Sequence, residues 1–214
     1  MRVLNADTLN KLFRKVMEDA SRPPSEADLV YLVGQTRSNE SSVLDKAAEL
    51  KGLIGLIGYN GTEEACGFPG FDHWKQELLS RNVAAGNIVG IEGSLVMADQ
   101  KQIIHTLSEL EAMVVYAKQQ KLERVVLVAP YWHLLRSFMT AVLACRRQYP
   151  SLRVYPVLGV PLLWDEPALH SQGKVGGIRA DFMFQETVRL FAYYEQGNLP
   201  SAEETLAYMQ QRGS

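Results

Sequence analysis

Short apolar segments that alternate with amphipathic segments predict an α/β protein with a central, mainly parallel sheet. Five of the apolar segments are rich in Val, Ile and Leu, as strands buried on both faces are, and stretches with helical spacing separate them. Because βαβ crossovers are right-handed, few strand orders remain, and we expect the order 3-2-1-4-5. The sequence therefore predicts a doubly wound, Rossmann-like three-layer sandwich with additional N- and C-terminal helices.

Residues 1–27 are predicted to form a helix that packs on the domain and a segment that ends it. Apolar residues recur there at helical spacing, at Leu4, Leu9, Leu12, Phe13, Val16 and Met17. The breaker cluster Arg22-Pro23-Pro24-Ser25 follows. Charged residues interrupt this segment, so it lacks the apolar run of a signal peptide. No window of the chain reaches 18 consecutive apolar residues, and we expect no membrane span and a cytoplasmic location.

Residues 28–160 are predicted to form the α/β domain itself. In order, the expected elements are strand 28–34, helix 41–51, strand 53–58, helix 72–81, strand 87–93, helix 102–120, strand 124–130, helix 133–148 and strand 152–158. The segment RVVLVAP at 124–130 carries the strongest strand signal of the chain. Residues 161–214 are expected to extend the same domain with a loop and helices over 179–195 and 201–212.

The charge balance and the cysteines exclude several classes of protein. The 214 residues include 22 Lys and Arg against 24 Asp and Glu, for a formal net charge of −2. A nucleic-acid partner is not expected, because phosphate neutralisation needs a basic excess. Cys66 and Cys145 lie far apart, and neither they nor the four histidines show metal-ligand spacing. We therefore expect reduced thiols and no metal site.

Polar groups and glycines follow each of the first four predicted strands. Ligands of open parallel sheets bind beyond the carboxyl ends of the strands, so these residues are the candidates for a binding site. The predicted ligand-binding residues are Gly34, Gln35, Thr36, Asn60, Gly61, Thr106, Pro130, His133 and Arg136, and the predicted catalytic residues are Glu92, Glu109 and His133. The sequence contains neither GxGxxG after the first strand nor the P-loop or GxSxG patterns.

The loop after the fourth strand has the clearest mechanism. A helix that begins near residue 131 points free backbone N–H groups and its positive dipole end at the crevice, which favours an anion. His133 and Arg136 are three positions apart, so both project from one side of the first turn. They would form a clamp for a phosphate or carboxylate. The alternative is that Arg136 pairs with an acidic neighbour such as Glu92 or Glu109.

Two further carboxylates are candidates for acid–base work. Glu92 directly follows the third strand, where a carboxylate can bind ribose hydroxyls, act as a base or cap the backbone that follows. Thr106 lies three residues before Glu109, which is the spacing of a capping box at the start of a helix. From spacing alone, Thr106 and Glu109 can be capping residues or site residues.

The order of these motifs resembles the YdcF-like family of bacterial proteins. The family is recognised by an S-G-G turn, a glutamate after the third strand, an S-x-x-T-x-E-N segment and a T-S-x-x-H-x-x-R-A segment. Over residues 28–160, Asn60 and Gly61 stand near the first motif, Glu92 matches the glutamate, Thr106 and Glu109 match the T and E, and His133 and Arg136 match H-x-x-R. The turn reads GYNG instead of S-G-G, and a spacer over 94–104 separates Glu92 from Thr106.

The resemblance implies a Rossmann-like fold whose polar crevice holds a small anionic or nucleotide-like ligand. S-adenosylmethionine has been proposed for the family, and a link to the bacterial envelope is suspected. The resemblance also favours a role in the site for Thr106 and Glu109. Two classes of function follow: a transferase or hydrolase of unassigned reaction, or a non-catalytic module that senses a ligand or binds a partner. Residues 161–214 would then cover the crevice or form a homodimer surface.

Overall fold

A computed structural model describes residues 5–50, 54–65, 67–92, 95–98, 101–170 and 175–213. The α-helices within these ranges are α1 (Ala6–Ala20), α2 (Glu40–Leu50), α3 (Phe71–Ser80), α4 (Thr106–Gln119), α5 (Tyr131–Gln148), α6 (Arg179–Glu195) and α7 (Ala202–Arg212). The strands are β1 (Ala27–Leu32), β2 (Ile54–Asn60), β3 (Ile88–Ile91), β4 (Leu95–Ala98), β5 (Lys101–Ile104), β6 (Arg124–Ala129), β7 (Arg153–Leu158), β8 (Pro167–His170) and β9 (Val175–Ile178).

The central sheet has five parallel strands in the order β3-β2-β1-β6-β7. Its strands are the five predicted from the sequence, so the expected order 3-2-1-4-5 and the doubly wound α/β class are confirmed. In the middle of the sheet, Leu29 is in register with Leu56 on one side and with Val125 on the other. β1 is therefore the strand from which the two halves of the sheet extend.

Alternate residues of β1 enter two separate cores. Leu29 and Tyr31 are fully buried with residues of α1, α4, α5 and α7 on one face. Val30 and Leu32 are equally buried on the other face, against α2 and α3. Burial of each such side chain contributes about 2 kcal/mol, so helices on both faces stabilise the sheet. The three-layer arrangement follows from a strand whose residues 29–32 are apolar and buried on both faces.

The helix expected over 102–120 begins at Thr106, because the residues before it form a hairpin. Leu95 pairs with Ile104 in the antiparallel pair of β4 and β5, which occupies most of the spacer over 94–104. His105 ends the hairpin with extended backbone and accepts a hydrogen bond from the Leu107 N–H, so it caps α4. The β-branched residues Ile103 and Ile104 fit a strand as well as the first turn of a helix.

The C-terminal residues pack on the same domain. The Tyr208 hydroxyl of α7 accepts from the Val154 N–H over 2.7 Å and donates to the Leu152 carbonyl over 2.8 Å, which satisfies part of the free edge of β7. The antiparallel pair of β8 and β9 precedes α6 and is absent from the sequence prediction. Within the described ranges, no helix combines the length and apolar character that crossing a membrane requires.

Candidate functional site

β1 and β6 are neighbours in the sheet, but the chain leaves them toward opposite faces. The loop after β1 leads to α2, whereas Pro130 after β6 leads into α5. A crevice forms between such loops at the carboxyl ends of the strands. Gly34 and Pro130, two of the predicted ligand-binding residues, therefore lie at the switch point of the sheet.

Glu109 reaches this switch point from α4. Its Oε1 accepts from the Gly34 N–H over 2.8 Å and lies 3.3 Å from the Tyr31 hydroxyl. Among the described residues, Oε2 of Glu109 has no hydrogen-bond partner. The side chain therefore joins the site and does not form the capping box that its spacing from Thr106 permits, since His105 caps the helix instead.

Burial sets the protonation of Glu109. The residue is 3% exposed, and this desolvation raises its pKa to about 7. The hydrogen bonds from Gly34 and Tyr31 and the charge of Arg136 act in the opposite direction without outweighing burial. Near neutral pH, the carboxyl group can therefore either donate or accept a proton, as a general acid or base must.

His133 and Arg136 project together from the first turns of α5, as their spacing predicts. Arg136 Nη2 is 3.0 Å from Nε2 of His133, and Nη1 donates to the Thr106 hydroxyl over 3.0 Å. Both side chains are buried, with 5% of each residue exposed. Thr106, His133 and Arg136, which lie on two different helices, are thus joined by direct hydrogen bonds.

The carboxylate that pairs with Arg136 belongs to Glu186 of α6. Glu186 accepts from Nε of Arg136 over 2.6 Å and from Nη2 over 3.0 Å, which fills the guanidinium fork. His170 Nε2 lies 2.8 Å from Oε1 of Glu186, and Arg189 donates to the same oxygen over 2.8 Å. Arg136 thus pairs with an acidic residue, as in the alternative to the predicted anion clamp, but its partner is Glu186 and neither Glu92 nor Glu109.

In the cluster, the carboxylate of Glu186 faces the guanidinium groups of Arg136 and Arg189, beside a neutral imidazole. Burial opposes the charge of Glu186, but Arg136, His133 and His170 together outweigh burial and hold the pKa of this carboxyl well below its usual range. Burial, together with the charge of Arg136, lowers the pKa of His133 well below its usual range. His133 is therefore neutral at pH 7.

The contacts of His133 select its tautomer. Because a guanidinium can only donate, Nε2 of His133 accepts from Arg136 and the ring proton is on Nδ1. Nδ1 faces the side-chain amide of Gln35, with 3.3 Å between Nδ1 and the amide nitrogen. Gln35 is itself 5% exposed. Both groups are donors in this tautomer, so the contact is no hydrogen bond and Arg136 alone selects the tautomer. Gln35 and His133 are both among the residues predicted for the site.

The C-terminal segment covers the loop after β1. The Leu169 carbonyl accepts from the Thr36 hydroxyl over 2.7 Å and from the Asn39 amide over 2.8 Å. Arg179 donates to Oδ1 of Asn39 over 3.0 Å and to the Ser38 carbonyl over 2.6 Å. Of the two roles that the sequence leaves open for residues 161–214, these contacts favour the cover.

Asn60 and Gly61 form a tight turn at the end of β2. Oδ1 of Asn60 accepts from the Thr62 N–H over 3.1 Å, and the Gly61 N–H donates to the Ile91 carbonyl over 3.0 Å. A Cβ at Gly61 would lie 3.1 Å from the backbone carbon of Gly90, so the two strands can approach closely. Nδ2 of Asn60 is buried and has no partner among the described residues.

Glu92 is exposed, unlike the other predicted catalytic residues. It lines an open cleft of about 600 Å³ with Gly90, Ser108, Glu111 and Tyr116. In the described part of the chain, none of the hydrogen bonds around Glu109, His133 and Arg136 involves Glu92. The structure therefore places this carboxylate directly after the edge strand β3, outside the buried cluster.

A larger cavity of about 750 Å³ begins at the first turn of α5 and follows β7. Tyr131, Trp132 and Trp164 form its aromatic wall, and Ser42 and Lys46 of α2 contribute polar groups. Its walls are otherwise mostly apolar, which is typical of sites for small organic molecules. Trp132 directly precedes His133, so the cavity lies next to the buried cluster.

Sequence reasoning missed Tyr31, His170, Glu186 and Arg189. The only signal for Glu186 is a carboxylate on the buried side of a helix, between Phe182 and Leu190 at helical spacing.

No protein-family model matches the chain, and no curated protein matches it. Among the described residues, no group of three or more His, Cys, Asp and Glu side chains is arranged to hold a metal ion.

Proposed function

We propose that the chain binds a small anionic or nucleotide-like molecule at the carboxyl edge of its sheet and acts on it as a transferase or hydrolase. The observation that carries this proposal is Glu109, a buried carboxyl with a pKa of about 7 whose Oε1 is held by Gly34. Perturbed acids in a crevice at a switch point are candidates for catalysis. Membership of the YdcF-like family is part of the same proposal.

Each member of the cluster has a role in this proposal. Oε2 of Glu109 accepts from a ligand hydroxyl, such as that of a ribose, and removes its proton in the reaction. Neutral His133 donates a hydrogen bond to the ligand from Nδ1, while Arg136, itself bound to the Thr106 hydroxyl, holds the ring in place. The aromatic cavity at Tyr131 and Trp164 receives a flat ring, such as the adenine of a nucleotide or of S-adenosylmethionine.

Binding of named probes tests the proposal. We expect calorimetry to detect binding of at least one of AMP, S-adenosylmethionine and inorganic phosphate, and Glu109→Gln to weaken it by about tenfold or more through the loss of a charge-assisted hydrogen bond. Glu111→Gln is the matched control, because Glu111 is on the same helix but pairs with Arg147 over 3.4 Å. Absence of binding by all three probes, or equal effects of the two variants, would contradict the proposal.

A ligand-sensing module is the second candidate, and Glu186 favours it. This carboxylate occupies the fork of Arg136 that a ligand anion would use. An anion that displaces Glu186 would release α6 and the pair of β8 and β9 from the crevice. Exposed apolar residues of α6 would then serve as a surface for a partner or a second copy of the chain: Phe184, Val188 and Phe191.

Turnover separates the two candidates. An enzyme converts the bound probe, and Glu109→Gln removes that conversion while the protein stays folded. A sensor returns the probe unchanged, and sedimentation shows a change in oligomeric state when the probe is added. Substitution of Phe184 and Phe191 by Ser would abolish that change.

A further inference from the structure

A second cluster of ionisable side chains lies at the carboxyl edge, beside β2 rather than β6. Glu40 is the first residue of α2 and His73 lies in the first turn of α3, so the helices that follow β1 and β2 both contribute to it. Nε2 of His73 is 2.9 and 3.1 Å from the two oxygens of Glu40. The indole N–H of Trp74 donates to the same carboxylate over 2.8 Å. Glu40 is thus held in place from two sides.

The contacts of His73 leave it with an acceptor nitrogen. A carboxylate only accepts and a guanidinium only donates. Nε2 of His73 therefore carries the ring proton and donates to Glu40, while Nδ1 faces Nη1 of Arg37 at 3.4 Å. Nδ1 therefore carries a lone pair that can accept a hydrogen bond from a ligand.

Arg37 retains hydrogen-bonding capacity at this site. Its side chain is 58% exposed, and the nearest oxygen of Glu64 is 3.9 Å away, beyond hydrogen-bonding distance. The 3.4 Å contact with His73 is longer than a normal hydrogen bond to nitrogen or oxygen. An incoming anion can therefore pair with the guanidinium without breaking a close ion pair.

We propose that Arg37, Glu40 and His73 form a binding site for a small molecule in which a hydroxyl group adjoins a carboxylate or a phosphate. Arg37 pairs with the anion, and Nδ1 of His73 accepts from the hydroxyl. Glu40 is a positioning residue that holds the tautomer of His73. The loop after β1 serves two sites in this arrangement, since Gln35 faces His133 and Arg37 faces His73.

Nitrogen NMR of the histidine rings in the full chain tests the site. Three probes are compared. Glycolate carries a hydroxyl beside a carboxylate, acetate carries the carboxylate without the hydroxyl, and hydrogen phosphate tests whether the site takes a phosphate. We expect glycolate or hydrogen phosphate to shift the His73 resonances, and acetate to bind about tenfold or more weakly than glycolate, because it offers Nδ1 no donor. Whichever of glycolate and hydrogen phosphate binds more tightly identifies the anion that the site takes.

Variants decide whether the shift arises at the proposed residues. Arg37→Ala removes an exposed side chain, and we expect it to abolish the shift. Glu40→Gln should weaken binding, because the carboxylate no longer fixes the ring proton of His73 on Nε2. Arg124→Ala is the matched control, since its side chain is 39% exposed and pairs with Glu26 over 3.5 Å at the opposite edge of the sheet. The proposal is overturned if neither glycolate nor phosphate shifts His73, if acetate equals glycolate, or if Arg37→Ala binds normally. The readout at His73 does not depend on ligand binding beside Glu109.

Discussion

At the scale of single residues, burial determines the chemistry of Glu109. A carboxyl group at 3% exposure with two hydrogen-bond donors on one oxygen is neither an ordinary helix residue nor a surface charge. Its position also explains Gly34, because a Cβ there would approach Oε1 of Glu109 to 3.3 Å. The glycine thus allows the backbone N–H to reach the carboxylate.

The raised pKa of Glu109 makes the stability of the fold depend on pH. Because the folded pKa is about 7 and the ordinary value is 4.5, the folded state binds more protons between these values. Stability should therefore be highest below about pH 4.5 for this group and fall by about 3 kcal/mol as the pH rises to 7 and above. Glu109→Gln should remove this dependence, as urea unfolding at several pH values would show. A slope that survives in Glu109→Gln but disappears in Glu111→Gln would contradict the assignment.

The ion pair of Arg136 and Glu186 should be strongly coupled. Both side chains are almost fully buried, so the removal of one leaves the other charge less well compensated, with only Arg189 and His170 beside Glu186 when Arg136 is lost. Arg136→Ala should lower the free energy of unfolding by about 3–5 kcal/mol. The double variant with Glu186→Ala should lose less than the sum of the single variants, which a double-mutant cycle in urea measures. Additive losses would show that the pair is not coupled.

At the scale of elements, strand and helix patterns were sufficient to predict the sheet. Buried parallel strands such as β1 and β6 are continuous apolar runs, and the helices beside them have regular apolar spacing. The hairpin of β4 and β5 was not predicted, because a short β-branched segment before a helix fits either structure. The capping role of His105 was likewise hidden, since the Thr106 and Glu109 spacing fits a capping box better.

The free edge of β7 depends on α7. Tyr208 supplies the hydrogen bonds of the Val154 N–H and the Leu152 carbonyl, both at the edge strand. Tyr208→Phe leaves these buried groups unpaired and should destabilise the fold by about 1–3 kcal/mol. Chemical unfolding measures this loss. An unchanged stability would mean that other groups satisfy the edge.

At the scale of the whole molecule, the sequence could not predict which distant segments meet. Glu186 is 50 residues from Arg136, and Leu169 is 133 residues from Thr36. Glu40 and His73 are 33 residues apart and meet because α2 and α3 share one face of the sheet. The ends of the predicted strands indicate the edge of the sheet at which such residues lie. The spacing of apolar residues does not indicate which distant residues contact each other there.

The C-terminal segment that covers the crevice, from β8 to α6, should open more often when Glu186 loses its charge. Glu186→Gln removes the charge that faces Arg136 and His170 while it retains the size of the side chain. We expect faster hydrogen exchange in α6 and in the pair of β8 and β9, with little change in β1 and β6. A uniform increase over the whole chain would instead indicate that the cover and the sheet unfold together.

The titration of Glu109 tests the central claim most directly. NMR of the side-chain carboxyl carbons, assigned with Glu109→Gln, reports its pKa in the free protein and in the presence of AMP. We predict a midpoint near 7 that falls when AMP binds, because a hydrogen bond from the ribose hydroxyl stabilises the carboxylate. A midpoint near 4.5, unchanged by AMP, S-adenosylmethionine or phosphate, would contradict the assignment of Glu109 to a ligand site.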